Sequence, residues 1–346
     1  MLRPYTTSVV GSYSVPPWYE VLEKQVEAGA LSPADMQDVQ FRASQAAIAD
    51  QEFAGIDVIT GGEMHRRTNN RNAPPNAMLN YFWQRIPGFS SETRPKNITP
   101  KDEHVTHPAQ VLTGPVKDAD LTLADEYKMV AKFTHPPAEV KVTMTGPHML
   151  AKVAWDEYYN DINTFMHELA KVLNANFRKL QDAGCKHVQV DEPLFAAVDR
   201  TEVQQAVDAI NQAFEGVTMT KWVHICQGNY AYAADYDGQI GHRYFDFGHY
   251  PADLIVGIDC DAIMAEYDFV DQYQGLLKNQ QMAAGVADVI NPMVESPETL
   301  IERAKSYSWL PREQTLLTTS CGLNHHSREI ALGKLQSLQA AANKLK

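Results

Sequence analysis

The sequence predicts an α/β protein, a closed (β/α)8 TIM barrel with a long insertion after strand two, on three observations. Eight short runs rich in β-branched and apolar residues recur along the 346 residues, each stopping at small or polar residues. Most intervals between them carry helical periodicity, as in residues 158–185 and 296–308. The runs are near-continuously apolar rather than alternating, which marks parallel strands buried on both faces. Eight such units suggest a closed barrel, whose chemistry sits at the C-terminal ends of the strands. A doubly wound open sheet is the alternative.

In order, the first strand is TTSVVGSY (6–13), and the second is GIDVITGGE (55–63), which stops at paired glycines. VKVTMTGP (140–147) and KHVQVDEP (186–193) follow, each closed by proline, which cannot continue a central strand. The remaining four are KWVHICQG (221–228), DAIMAEY (261–267), AAGVADVI (283–290) and QTLLTTSCG (314–322). Residues 325–346 read as a closing helix. One connection breaks the rhythm: residues 64–139 are too long for a single crossover helix. They are predicted as an insertion, a β-hairpin followed by a helix, reaching over one end of the barrel. Residues 1–346 are expected to form one barrel domain.

Composition narrows the function. The chain is 44% hydrophobic and 21% charged, with a formal charge of −13. That charge works against nucleic acid, whose binding is dominated by cationic contacts to phosphate. The N-terminal residues lack a signal peptide's apolar segment, and no apolar run approaches the length of a membrane span. The four cysteines then read as reduced thiols in a cytoplasmic protein.

Polar chemistry concentrates where the strands stop. His224 and Cys226 are two apart, so in a strand both project to one face. With Cys321 and the carboxylate of Glu266 they make a ligand set suited to tetrahedral zinc. The competing reading is that Cys226 and Cys321 are small buried hydrophobes and His224 a hydrogen-bonded structural residue. Cys185 and Cys260 precede strands and take the structural reading. Glu63 and Asp191, facing the same mouth, suit a substrate ammonium group, and Ser12 suits a carboxylate. Those two recognitions together describe an amino acid. Glu192 reads instead as a cap, a solvated group or an ion-pair partner. The run HRRTNNR (65–71) suits an anionic donor or partner, or a solvated loop. His325 and His326 precede or cap the last helix, and FDFGHY (245–250) suits core packing or a lid.

Six of these motifs, VVGSY (9–13), GGEMHR (61–66), MTGPHML (144–150), VQVDEP (188–193), HIC (224–226) and TTSCGL (318–323), run in the order found in cobalamin-independent methionine synthases. The chain resembles the C-terminal catalytic barrel of that family from about residue 8 to residue 326. The resemblance implies a zinc-dependent methyltransferase that moves a methyl group to the thiol of homocysteine. It implies His224, Cys226 and Cys321 as zinc ligands, Glu266 as the carboxylate ligand, and Ser12, Glu63 and Asp191 as homocysteine-binding residues.

The departures lie on the donor side. The long form of the family has an additional N-terminal barrel, so this chain resembles the short, single-barrel members. Where the long enzymes carry a tryptophan-containing stretch after TGP, this chain reads HMLAKVAW, and the loop VINPMVESPE (289–298) lacks their histidine. The methyl donor therefore stays open: a methylfolate, a methylated corrinoid protein or another carrier. Two other readings remain, a zinc-dependent alkyltransferase acting on another thiol, and a partner-dependent protein without independent turnover.

Overall fold

A computed structural model of the chain describes residues 1–66, 77–97, 106–226, 229–234, 240–243 and 250–346. Eight parallel strands close on themselves: β1 (Thr7–Ser8), β2 (Val58–Ile59), β3 (Glu139–Thr145), β4 (His187–Asp191), β5 (Thr220–His224), β6 (Ala262–Glu266), β7 (Gln281–Ala287) and β8 (Thr315–Thr319). Each strand pairs with its neighbours in sequence, and β1 pairs with β8, Thr7 against Leu317 and Ser8 against Thr318. All eight overlap the expected runs, and the closure rules out the doubly wound sheet.

Helices coat the barrel, and local chemistry fixes where they begin. Asp161, Asp199, Ser296 and Ser327 each accept a backbone N–H three residues on, starting helices Ile162–Asp182, Arg200–Phe214, Pro297–Ser306 and Arg328–Leu345. Helix Pro33–Ala54 starts with a reciprocal capping box between Ser32 and Asp35. In Ile162–Asp182 the residues Phe165, Leu169, Leu173, Phe177 and Leu180 recur at helical spacing and are all fully buried.

The segment after β2 contains helix Ala77–Trp83 and an antiparallel hairpin, Phe89–Asn97 with Thr106–Leu112. Trp155–Asp156 adds to that hairpin as a third strand. Helix Leu123–Ala131 then leads back into β3. Trp83 is fully buried and donates its indole N–H to the carbonyl of Leu150, 3.1 Å away, so this segment packs on helix Pro147–Val153. Two elements depart from a regular helix-after-strand alternation. A second hairpin, Asn229–Ala234 with Ile240–Arg243, stands between β5 and β6, and the turn after β6 is a short 3-10 helix, Val270–Tyr273. No helix among the described residues is long and apolar enough to cross a membrane.

The floor of the barrel is apolar, built from Val10, Val58, Trp222, Ala262, Met264, Ala283 and Leu316. Into it reaches Lys141, whose ammonium donates to Ser8 Oγ (2.9 Å) and Val9 O (2.6 Å) and lies 4.7 Å from the centre of the Trp222 ring. The last helix fixes the loop after β7, because the buried Lys334 ammonium donates to Asp288 O, Met293 O and Glu295 Oε2.

His326, placed by the sequence at the entry to the last helix, is 4% exposed and donates its Nε2–H to Val289 O at 2.8 Å. Burial first, and then the Lys334 cation, push its pKa down to about 4, with His325 adding to that and the Val289 carbonyl and Asp288 opposing. A depressed histidine is neutral in the folded chain and takes up its proton on unfolding, so its contribution is complete above pH of about 6.5 and falls as pH drops toward about 4. Urea unfolding at several pH values should therefore show stability falling through that window, with a shallower slope for His326→Gln. An identical slope in the variant would remove His326 from the account.

Candidate functional site

Strand pairing sets the level of each residue at the barrel mouth. His224 ends β5 opposite Asp191 on β4 and Met264 on β6. Asp191 Oδ1 lies 3.1 Å from His224 Nδ1, and the Glu192 N–H donates to the His224 carbonyl at 2.9 Å. A carboxylate only accepts, so Nδ1 carries a proton, and in the neutral ring the lone pair sits on Nε2. Burial lowers the imidazole pKa, but Asp191 and Cys226 outweigh it and raise the value to about 10. His224 Nε2 is buried and has no hydrogen-bond partner.

That nitrogen belongs with two thiols. Cys226 follows on the same face, and Cys321, just beyond β8, brings its Sγ to 3.1 Å from that of Cys226. The three donor atoms lie within 4.8 Å of one another, with His224 3% and Cys226 7% exposed. A buried lone-pair nitrogen converging with two sulfurs fits a borderline-soft divalent ion, and a carboxylate on the far ring nitrogen is the usual support for such a ligand. Glu266, 1% exposed at the end of β6, stands outside this group of three. β6 pairs with β5 at Met264 and His224, so Glu266 ends the strand next to the cluster.

Glu63 and Asp191 approach from the other side. Glu63 has φ +59°, a left-handed backbone that costs a side-chain-bearing residue about 1–2 kcal/mol. Its carboxylate tucks against Gly11, where an added Cβ would come within 2.3 Å of Oε1, so only glycine leaves room. Burial raises the Glu63 carboxyl above its ordinary range, and Asp191 adds to this, while Arg66 and a hydrogen bond from Thr143 pull it back. Asp191 Oδ1 also accepts from Gln189 Nε2 at 2.7 Å, so the same oxygen serves both the imidazole and that amide. Beneath, burial pushes the Lys141 ammonium down to about 7, although Asp191 and Glu63 draw it back up.

Ser12 pairs with Gly62 through a single parallel bridge and donates its hydroxyl to Asn324 Oδ1 at 2.9 Å. Gly322 makes this possible, since a Cβ there would lie 2.1 Å from Ser12 Oγ. The other expectations resolve as follows. Glu192 accepts the N–H groups of His148 and Met149 (2.9 and 3.0 Å), which is the capping role. Cys185 and Cys260 are buried ahead of β4 and β6. In HRRTNNR, Arg66 is 2% exposed and ion-paired, neither a solvated residue nor a surface contact, and residues 67–71 lie outside the described residues. In FDFGHY, residues 245–249 also lie outside them, while Tyr250 hydrogen-bonds Tyr273 at 2.8 Å. Asn324, Thr143 and Arg66 touch the site residues without having been assigned to the site; the first two flank recognised motifs by one position, and Arg66 ends the motif GGEMHR.

Comparison with known proteins bears on the chain as a whole. A family profile described as "Cobalamin-independent synthase, Catalytic domain" matches residues 5–344. The methionine synthase of Pyrococcus furiosus is 31% identical over 336 residues, covering 97% of this chain and 91% of its own. That of Saccharolobus solfataricus is 30% identical, covering 96% and 92%. Among solved structures, a B12-independent methionine synthase from Shewanella sp. W3-18-1, in complex with selenomethionine, superposes with a TM-score of 0.80 at 22% identity, over 99% of this chain and 97% of its own. At that identity the superposition speaks for the barrel alone, whereas the profile and the curated relatives span almost the whole sequence. The chain belongs to the cobalamin-independent methionine synthase family, over the family's catalytic domain.

Proposed function

We propose that this homocysteine S-methyltransferase works with a zinc ion held by His224, Cys226 and Cys321, with Glu266 as the carboxylate ligand. The observation that carries this reading is the buried, unpartnered Nε2 of His224 beside two thiols. When bound, zinc would hold an incoming thiol as its thiolate, the nucleophilic form, at a pH where a free thiol of pKa near 8.5 is mostly protonated.

The remaining work falls to the side chains. Asp191 keeps the His224 proton on Nδ1, so that Nε2 stays available. Glu63 and Asp191 receive the ammonium group of homocysteine, and Ser12 receives its carboxylate. Fixing both groups aims the sulfur at the methyl carbon, which converts a bimolecular encounter into an oriented one. Sulfur attacks that carbon, the C–S bond of methionine forms, and the donor leaves with the electron pair of its broken bond to methyl. The selenomethionine complex of the Shewanella relative supports an amino acid in such a pocket.

The barrel and the segment inserted after β2 form one catalytic domain in this reading, and its reduced thiols suit the cytoplasm. The donor is a methylfolate, a methylated corrinoid protein or another methyl carrier. The stretch after TGP reads HMLAKVAW and departs from that of the long enzymes, and the loop 289–298 lacks their histidine.

Zinc-edge X-ray absorption on the metal-replete protein should show two sulfur neighbours, from Cys226 and Cys321, and a third when L-homocysteine is added. A shell that ignores homocysteine would hand the acceptor role to another thiol, and a metal-replete preparation without zinc would end the proposal. Because Asp191 serves both the imidazole and the pocket, Asp191→Asn should lower zinc affinity by about 10–100-fold in chelator competition and also weaken homocysteine binding. Unchanged zinc affinity in that variant would confine Asp191 to the acceptor.

A further inference from the structure

The strained Glu63 backbone is held by more than its own neighbours. Thr143 donates its hydroxyl to Glu63 Oε1 at 2.5 Å, and the Arg66 N–H donates to the Glu63 carbonyl at 3.0 Å. Arg66 Nη1 in turn donates to Thr143 Oγ1 at 3.1 Å and stands 3.6 Å from Glu63 Oε1. Its Nη2 donates to the Thr143 carbonyl (2.6 Å) and to Glu126 Oε2 (2.7 Å). Glu126 lies on helix Leu123–Ala131, inside the segment inserted after β2, and is 7% exposed. Burial alone would raise its carboxyl, yet Arg66 and His65 outweigh that and hold it at about 2.

The distances decide what Arg66 is for. A guanidinium facing Glu63 alone would neutralise it and compete with any incoming cation. Here the closer partner is Glu126, at 2.7 Å against 3.6 Å, so the guanidinium is drawn outward and touches Glu63 mainly through the Thr143 hydroxyl. When Glu63 is ionised, two carboxylates against one guanidinium give this trio a net negative charge, which suits an ammonium guest.

We infer that Glu126, Arg66 and Thr143 are positioning residues that hold the Glu63 carboxylate fixed in place for the acceptor's ammonium group. Through them, the inserted segment sets the preference for amino-acid thiols over thiols without an amine. This rests on Glu63 receiving the ammonium group of homocysteine, and the test separates the two.

Isothermal titration of zinc-loaded wild type, Glu126→Gln and Thr143→Val with L-homocysteine and with 4-mercaptobutanoate, its amine-free counterpart, reads the preference without needing a methyl donor. Wild type should favour homocysteine. Each variant should lose about tenfold in homocysteine affinity, the scale of one charge-assisted hydrogen bond, while binding 4-mercaptobutanoate and zinc as before. Thr143→Val is nearly isosteric and cuts the same chain of contacts, so it carries the test if Glu126→Gln fails to fold. A wild type that does not distinguish the two thiols overturns the role of Glu63 itself. A wild type that does, with variants that keep its preference or weaken both thiols equally, overturns the positioning role alone.

Discussion

Everything at the mouth depends on the first strand closing against the last. Thr318 Oγ1 donates to Ser8 O, the Leu323 N–H donates to Ser12 O, and Ser12 Oγ donates to Asn324, all at 2.9–3.0 Å. Farther out, Asp50 accepts both from Tyr13 and from the forked guanidinium of Arg328, tying the start of the chain to its last helix. These contacts join positions about 310 residues apart. They make the sheet a barrel, and they also carry Cys321 to Cys226 and Ser12 to the same rim. An open sheet would leave Ser12 and Cys321 on opposite edges.

Inside that closed ring, polarity is graded. The floor is packed with Val10, Val58, Trp222, Met264 and Leu316, and the rim is lined with acids, thiols and an imidazole. Charges lie between the two, each matched to its surroundings. Lys141 is held by a hydroxyl, a carbonyl and an aromatic face, and Arg66 by Glu126 and Thr143. Buried ions without such partners would be costly enough to shift or lose their charge. The mouth can therefore keep several ionised groups close together because neighbouring elements supply partners for them from outside the pocket.

The parts legible in the sequence were those with a local signature. Eight apolar runs with abrupt stops announced the eight strands, because a strand buried on both faces has little choice of residue. His224 and Cys226 were legible because a two-residue spacing on a strand fixes a shared face. Glu192 does cap a helix, but that helix, Pro147–Val153, lies 44 positions earlier and not after its own strand, so the partner was not legible. What stayed hidden was non-local. Arg66 and Glu126 are 60 positions apart and look like ordinary surface charges until the inserted helix folds over the barrel. The hairpin of Asn229–Ala234 with Ile240–Arg243 went unread although Asp237-Gly238 between its strands is a common turn pair, and the hydrogen bond from Asp191 to His224 joins positions 33 apart.

The 95 positions between Cys226 and Cys321 have a consequence for biosynthesis. In a compact zinc finger, ligands emerge from the ribosome close together, and the ion can organise the chain as it appears. Here His224 and Cys226 emerge long before the third donor, and only the docking of the final strand delivers it. A metal held there, as proposed above, could not nucleate folding and would bind only once the scaffold is complete, so apo-protein should persist as a folded species rather than an unravelled one. Metal supply would then govern how many molecules are competent, without governing how many have folded.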